Sequence, residues 1–174
     1  MDSSFPAFFE WATKKGIPVV ILSSGMEPII RCLLAKYFGS PAESILVIAN
    51  DVEIFPNQSW RIRFRDDTGL VLQNWLLTLY FGHDKSRTIR DTVKSFQVNR
   101  PIVIYCGDGI SDISAAREAD LLFAKKGKDL VAHCLTEDIP FYPFDVQFHQ
   151  FESFPSRLSK SFKVSVAPFH ADHL

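Results

Sequence analysis

The chain has 174 residues, with 19 Lys and Arg against 20 Asp and Glu, and 47% of its residues are hydrophobic. This profile is typical of one soluble globular domain and excludes a disordered chain, a collagen-like repeat and a disulfide scaffold. A net charge of -1 excludes a strongly basic face, so neither a nucleic-acid partner nor a membrane surface is expected.

The three cysteines, Cys32, Cys106 and Cys134, form no CxxC or Cys/His pattern, so we expect reduced thiols in a cytoplasmic protein and no zinc site. The N-terminal residues contain no small-residue cleavage site of a secretory signal. The longest apolar stretch outside the strands, residues 70–81, is twelve residues long, whereas a membrane span needs about twenty. No membrane span is therefore predicted.

Short apolar runs alternate with stretches of helical periodicity. Trp60, Ile62 and Phe64 alternate with polar residues, as in one arm of a hairpin. The predicted strands cover residues 17–22, 45–49, 102–106, 121–124 and 140–142, and the predicted helices cover residues 29–38, 84–96 and 111–119. Strands separated by helices indicate an α/β fold with a parallel sheet, in which ligands bind beyond the carboxyl ends of the strands.

Ser23, Ser24 and Gly25 follow the first predicted strand. A hydroxyl and free backbone N–H groups at the start of a helix can bind an anionic oxygen, which makes this segment a candidate phosphate site. A helix cap is the competing interpretation and is favoured when the segment is taken alone. Ser24 and Glu27 have the spacing of a capping box, and Pro28 falls in the first turn.

Lys85 lies at the start of the helix predicted at residues 84–96. A cation opposes the helix dipole at that end unless an anion lies nearby, so Lys85 is a candidate phosphate ligand. A solvated lysine is the competing interpretation. His83 is interpreted as a helix-capping histidine, with contact to a substrate as the alternative.

Gly107, Asp108, Gly109, Ile110, Ser111 and Asp112 follow directly after the strand predicted at residues 102–106. This sequence brings two carboxylates to a strand end on a loop made tight by glycine. Carboxylate oxygens are the ligands that Mg²⁺ prefers, so Asp108 and Asp112 are candidate metal ligands.

In chain order, Ser23, Lys85 and the Asp108/Asp112 loop resemble motifs two, three and four of the haloacid dehalogenase (HAD) superfamily of phosphatases. The resemblance is closest to the phosphoserine-phosphatase-like branch, which hydrolyses phosphate esters of small metabolites, and it covers about residues 5–145. The segments that carry it are IPVVILSSGMEPII, AND at residues 49–51, GHDKS at residues 82–86, and YCGDGISDISAAREADLLFAKKG.

The resemblance implies a Rossmann-like parallel sheet between helices and a Mg²⁺-dependent phosphatase that acts on a small phosphorylated metabolite. By correspondence, Ser23 binds the transferred phosphoryl group, and Ser24 and Gly25 offer it their backbone N–H groups. Lys85 neutralises the group and orients the nucleophile. Asp108 ligates Mg²⁺, and Asp112 helps to hold the metal site together. These residues are expected to meet at the carboxyl ends of the strands.

The superfamily's first motif, a strand ending in DxDx[T/V], does not occur in this sequence. Its first Asp attacks phosphorus and its second acts as acid and base, so we expect no turnover by this chain alone. The sheet is expected to lack the central strand that carries this motif, which leaves two apolar strand edges.

The alternative function is a catalytically inactive module that binds phosphate and metal. A receiver-type signalling domain is a third, disfavoured because its acidic pair precedes its Ser/Thr and Lys.

Residues 1–148 are therefore predicted to form an incomplete HAD-like core. A candidate insert at residues 70–81 is interpreted as retained intron sequence, with an apolar lid as the alternative. Residues 149–174 lie outside the match and are predicted to be a partly disordered tail. No oligomeric state is predicted.

Overall fold

Two three-stranded sheets, each within its own compact unit, organise the computed structural model of the chain. One unit contains residues 19–85, and the other contains residues 1–18 together with residues 86–174. The structure describes residues 5–65, 83–96 and 99–145. The candidate insert at residues 70–81 and the tail at residues 149–174 lie outside the described residues.

Helices and strands alternate along most of the chain, which confirms the predicted α/β class. In chain order the elements are α1 (Phe5–Lys14), β1 (Val20–Met26), α2 (Glu27–Phe38), β2 (Leu46–Ile54), β3 (Trp60–Arg63), α3 (Lys85–Ser95), β4 (Ile104–Gly107), α4 (Ile113–Ala116), β5 (Leu121–Lys125), α5 (Asp129–Thr136) and β6 (Tyr142–Phe144), with short 3₁₀ helices at Ser40–Ser44 and Ile110–Asp112. The sequence patterns did not predict α5, although its two buried residues, Leu130 and Cys134, lie one helical turn apart.

The sheet of residues 19–85 pairs β1 parallel to β2 and β2 antiparallel to β3. Four consecutive residues of β2, Val47 to Asn50, are buried, as in an inner strand of an α/β sheet. β2 continues five residues beyond the apolar run predicted at residues 45–49. The extension forms because β3 pairs with it, and Asp51 and Glu53 lie opposite Arg63 and Arg61 and form ion pairs with them.

The end of β1 differs from its prediction. The strand runs through Ser23, Ser24 and Gly25 to Met26, and the β1–β2 register is irregular between Leu22 and Met26. The three residues therefore form an irregularity within the strand, and the backbone of Gly25 is not left-handed. A bulge of this kind re-aims side chains at a strand end without a separate turn.

In the other unit, β4, β5 and β6 are all parallel, with β5 in the centre. Leu122, Phe123 and Ala124 of β5 are buried, and Phe123 packs with Phe144 of β6 and Phe8 of α1. Pro143 lies in β6, an outer strand of this sheet, where its missing N–H is tolerated.

One edge of β1 and one edge of β4 have no strand partner among the residues described here, since β1 pairs with β2 and β4 pairs with β5. β1 has no buried residue and β4 has one, whereas β2 has four and β5 has three. The absence of a central strand between them stays a prediction.

Two further predictions concern a membrane span and the state of the three thiols. Over residues 5–65, 83–96 and 99–145, no helix has both the length and the hydropathy that crossing a bilayer requires. The thiols of Cys32, Cys106 and Cys134 are free.

Candidate active site

The buried carboxylate of Asp112 organises the loop that follows β4. Its Oδ2 accepts the backbone N–H groups of Asp108 at 2.8 Å and of Gly109 at 3.0 Å. Its Oδ1 accepts the hydroxyl of Tyr105 at 2.6 Å. Asp112 is only 5% exposed, so these three donors compensate the burial of its charge. The helix predicted at residues 111–119 is reduced to a 3₁₀ turn and the short α4.

Gly107, the last residue of β4, gives this carboxylate its space. A Cβ at this position would lie 2.8 Å from both Cγ and Oδ2 of Asp112, closer than real Cβ contacts come. Burial, and then the neighbouring Asp112 charge, raise the pKa of Tyr105 above its ordinary value. The hydroxyl of Tyr105 therefore stays protonated at neutral pH and can donate to Asp112.

Asp108 differs from Asp112 because its side chain is exposed. Its backbone carbonyl accepts the N–H of Leu130 in α5 at 3.1 Å, which attaches the loop on a second side. No described residue donates a hydrogen bond to its carboxylate. An exposed carboxylate on a fixed loop fits a Mg²⁺ ligand, whereas Asp112, with both oxygens occupied, fits the supporting role.

A metal at Asp108 would need ligands beyond these two residues. In the part of the chain that the structure describes, no group of three or more His, Cys, Asp or Glu side chains is arranged to hold a metal ion. Mg²⁺ commonly binds through one or two carboxylates, with water and phosphate oxygens completing its shell. The donor set here fits that mode of binding.

Two side chains hold the carbonyl groups of the Ser23 and Ser24 segment. Nδ1 of His83 lies 3.1 Å from the carbonyl oxygen of Ser23, and because a carbonyl only accepts, Nδ1 carries the proton. Asn50 donates from Nδ2 to the carbonyl of Ser24 at 2.8 Å and accepts the N–H of Arg65 at 3.0 Å. His83 is 5% exposed and Asn50 is 1% exposed. His83 thus supports the strand end of β1, and its role as a helix cap stays a prediction.

The serine hydroxyls do not cap α2, so the capping-box interpretation is wrong. The N-cap of α2 is Met26, which makes no side-chain capping bond, although Pro28 does lie in the first turn. The hydroxyl oxygen of Ser23 accepts the Gly25 N–H at 3.0 Å, which leaves its own proton free to be donated elsewhere. The Ser24 hydroxyl is buried and finds no hydrogen-bond partner among the described residues.

Lys85 is the first residue of α3, as predicted, and it is 5% exposed. The interpretation as a solvated lysine is therefore wrong. A buried ammonium group at the positive end of a helix dipole is stabilised by nearby negative charge. The role of Lys85 as a phosphate ligand stays a prediction.

The predicted site residues fall in two groups. Ser23, Ser24, Gly25 and Lys85 belong to the unit of residues 19–85, and Asp108 and Asp112 belong to the other. Asp108 and Asp112 lie in direct contact through one hydrogen bond. That the two groups come together in one site stays a prediction.

The supporting roles of Tyr105 and Asn50 were not predicted from the sequence. Tyr105 is a hydroxyl-bearing residue in a strand expected to be buried, and such a hydroxyl needs a partner. Asn50 follows the apolar run of β2, and a fully buried amide needs partners on both sides of its side chain. Both signals are visible in the sequence, but neither identifies the partner.

Comparison with known proteins gives a consistent family. Residues 1–117 match the family model described as haloacid dehalogenase-like hydrolase. The chain is 45% identical over 146 residues to Pdp3-interacting factor 1 of Schizosaccharomyces pombe, covering 83% of this chain and 59% of that protein. It is 43% identical over 152 residues to the polyol phosphate phosphatase PYP1 of Saccharomyces cerevisiae, covering 83% of this chain and 58% of that protein. The chain therefore spans somewhat under two thirds of the length of these curated relatives.

Proposed function

The chain belongs to the haloacid dehalogenase-like hydrolase family, and from this premise we propose that it carries the phosphate and metal sites of a Mg²⁺-dependent phosphatase of small phosphomonoesters. The observation that carries the proposal is the loop after β4. There the buried Asp112 fixes two backbone N–H groups while the Asp108 carboxylate beside it remains exposed.

The proposed substrate class is the polyol phosphates. Support comes from the similarity to a yeast protein whose name states that it is a polyol phosphate phosphatase. Phosphoserine is the competing substrate, since the sequence also resembles the phosphoserine-phosphatase-like branch. Both substrates present the same phosphate monoester, so the residues at the phosphate site serve either one.

Each residue role follows from the charge of the phosphoryl group. Ser23 donates its hydroxyl proton to a phosphoryl oxygen, since its hydrogen bond with the Gly25 N–H does not use that proton. The Lys85 ammonium neutralises negative charge on the group, and Asp108 is the metal ligand. Bound Mg²⁺ would add charge neutralisation at the phosphate oxygens. Phosphoryl transfer depends mainly on such positioning and charge neutralisation.

The Gly25 N–H becomes available to a phosphate only when the Ser23 hydroxyl gives it up, since the two are now hydrogen-bonded to each other. Asn50 and His83 hold the carbonyls of Ser24 and Ser23, and so limit how far this segment can shift. Binding of phosphate is thus proposed to require rotation of one serine side chain and little backbone movement.

The attacking carboxylate is not among these residues. The sequence contains no DxDx[T/V], and we propose that the 174-residue chain alone has no turnover. The second candidate function is a module that binds phosphate and metal without catalysis. It is favoured by the missing motif and by the name of the fission yeast relative, which describes an interacting factor.

Calorimetric titration of the full chain with MgCl₂ tests the metal site. The wild-type chain and Asp91→Ala, a control at an exposed aspartate of α3, are expected to bind Mg²⁺, and Asp108→Ala is expected not to. Equal binding by Asp108→Ala and the wild type would remove Asp108 from the site.

The two substrate classes are separated by comparing kcat/KM for a polyol phosphate and for phosphoserine, in a chain joined to a DxDx[T/V] segment. Preference for phosphoserine would overturn the substrate assignment.

A further inference from the structure

We propose that Tyr105 is a positioning residue for the Asp108 metal ligand and that it acts through Asp112. This inference rests on the proposed function, because it assigns a supporting residue to the same metal site. It adds a residue outside the Gly107–Asp112 loop, on the preceding strand β4.

The position of Tyr105 makes its hydroxyl a fixed point. Its main chain pairs with Leu122 of β5, the central strand of the parallel sheet, and the residue is buried. The hydroxyl donates to Oδ1 of Asp112 at 2.6 Å. A tyrosine ring on a paired strand has few torsions, so this donor is held in place by the sheet and not by the loop.

The Tyr105 hydroxyl fixes the orientation of the Asp112 carboxylate. The last torsion of an aspartate is broad and roughly two-fold, so the carboxylate needs a second contact to fix its plane. With Oδ1 held by Tyr105, Oδ2 points to the N–H groups of Asp108 and Gly109, at 2.8 Å and 3.0 Å. The direction of the Asp108 backbone, and so of its side chain, depends on these contacts.

Gly107 limits the carboxylate at its other oxygen. Asp112 Oδ2 lies only 2.8 Å from the position that a Cβ of residue 107 would take. The backbone of Gly107 and the hydroxyl of Tyr105 thus both restrict the place of the carboxylate. A side chain at position 107 would push it out of this place, whereas loss of the hydroxyl would let it turn.

Amide hydrogen exchange of the full chain, measured by NMR, tests the positioning role of Tyr105 without any metal. Tyr105→Phe removes only the hydroxyl and is expected to speed exchange of the Asp108 and Gly109 amides about tenfold, the upper range for one lost hydrogen bond. Amides of β5 should change little. Tyr142→Phe is the matched control, since Tyr142 is 49% exposed and stacks on Phe123 through its ring. It should leave both loop amides unchanged.

Titration with MgCl₂ supplies the second measurement. Tyr105→Phe is expected to raise the Kd for Mg²⁺ several-fold, and Tyr142→Phe to leave it unchanged. If Tyr105→Phe does not fold, Gly107→Ala is used instead, because its Cβ displaces the same carboxylate and should expose the same two amides.

Unchanged exchange of the Asp108 and Gly109 amides in folded Tyr105→Phe, or a uniform increase over the whole sheet, would overturn the positioning role. Failure of the wild-type chain to bind Mg²⁺ would overturn the metal part of the proposed function instead. The exchange data would then still decide whether Tyr105 fixes the loop.

Discussion

Oδ2 of Asp112 accepts the backbone N–H of Asp108 at 2.8 Å, so the buried carboxylate of this motif holds the exposed one in place. The two acidic residues of one short loop therefore differ in their physical roles. Asp112 is needed for the loop conformation, and Asp108 is available for a ligand. Substitutions at the two positions should separate stability from binding.

Asp112→Ala is expected to lower the free energy of unfolding by about 3 kcal/mol, because three donors, including the Tyr105 hydroxyl, lose their acceptor. Asp108→Ala, at an exposed position, should change it by less than about 0.5 kcal/mol. Urea denaturation of both variants measures the difference. Similar losses in the two variants would contradict the division of roles.

Alanine substitutions at two neighbouring polar residues of the β1–β2 sheet, Asn50 and Ser24, should have different effects on stability. Asn50→Ala leaves the Ser24 carbonyl without its donor and the Arg65 N–H without its acceptor. It should lower the free energy of unfolding by about 2 to 3 kcal/mol. Ser24→Ala removes a buried hydroxyl with no described partner, and should be neutral or stabilise by up to about 1 kcal/mol. Thermal melting of the two variants checks this. A clear destabilisation by Ser24→Ala would show that its hydroxyl has a partner.

Stability of the β2–β3 hairpin should depend on acid pH through Asp51. The Val52 N–H, and then Arg63, lower the pKa of Asp51 below its ordinary value. A lowered pKa means that the ionised carboxylate stabilises the fold above the unfolded pKa of about 4, and that this contribution is lost as pH falls through the folded pKa. Asp51→Asn should therefore be less stable than wild type at pH 7, with a gap that narrows below pH 4. A gap that stays constant from pH 7 to pH 2.5 would contradict this account.

Sequence periodicity predicted most strands because β2 and β5 are buried on both faces and therefore have continuous apolar runs. Their ends were less predictable, since β2 is lengthened by ion pairs with β3 that depend on a partner strand. The same limit applies to Ser23, Ser24 and Gly25. Their sequence fits a cap and a turn, but β1 pairs with β2 again at Met26, beyond them. The three residues therefore lie within β1 as an irregularity, and α2 starts at Glu27.

The candidate site was predictable where chemistry and local spacing coincide. Asp108 and Asp112 are four residues apart behind a strand, and that spacing alone brings their side chains to one loop. The contacts of Tyr105, Asn50 and His83 span from 7 to 60 residues of sequence. Such partners are set by the tertiary fold, so a single sequence shows only that these polar groups require partners.

Phosphate binding tests the role of the buried Lys85. Lys85→Met keeps a side chain of similar length without charge and is expected to weaken binding of inorganic phosphate at least tenfold. Lys94→Met, at a side chain of the same helix that is 74% exposed, is the matched control and should bind like wild type. Calorimetry with both variants makes the comparison. Equal weakening by the two substitutions would indicate general electrostatic attraction and would remove Lys85 from the site.

The most direct test of the account is phosphate release from an aryl phosphate and from a polyol phosphate, with MgCl₂ and with EDTA. The 174-residue chain is compared with the same chain joined to an upstream family segment ending in DxDx[T/V]. The account predicts metal-dependent release only by the joined protein, and loss of that release in its Asp108→Asn variant. Metal-dependent turnover by the 174-residue chain that Asp108→Asn abolishes would contradict it, because a nucleophile would then lie within the chain.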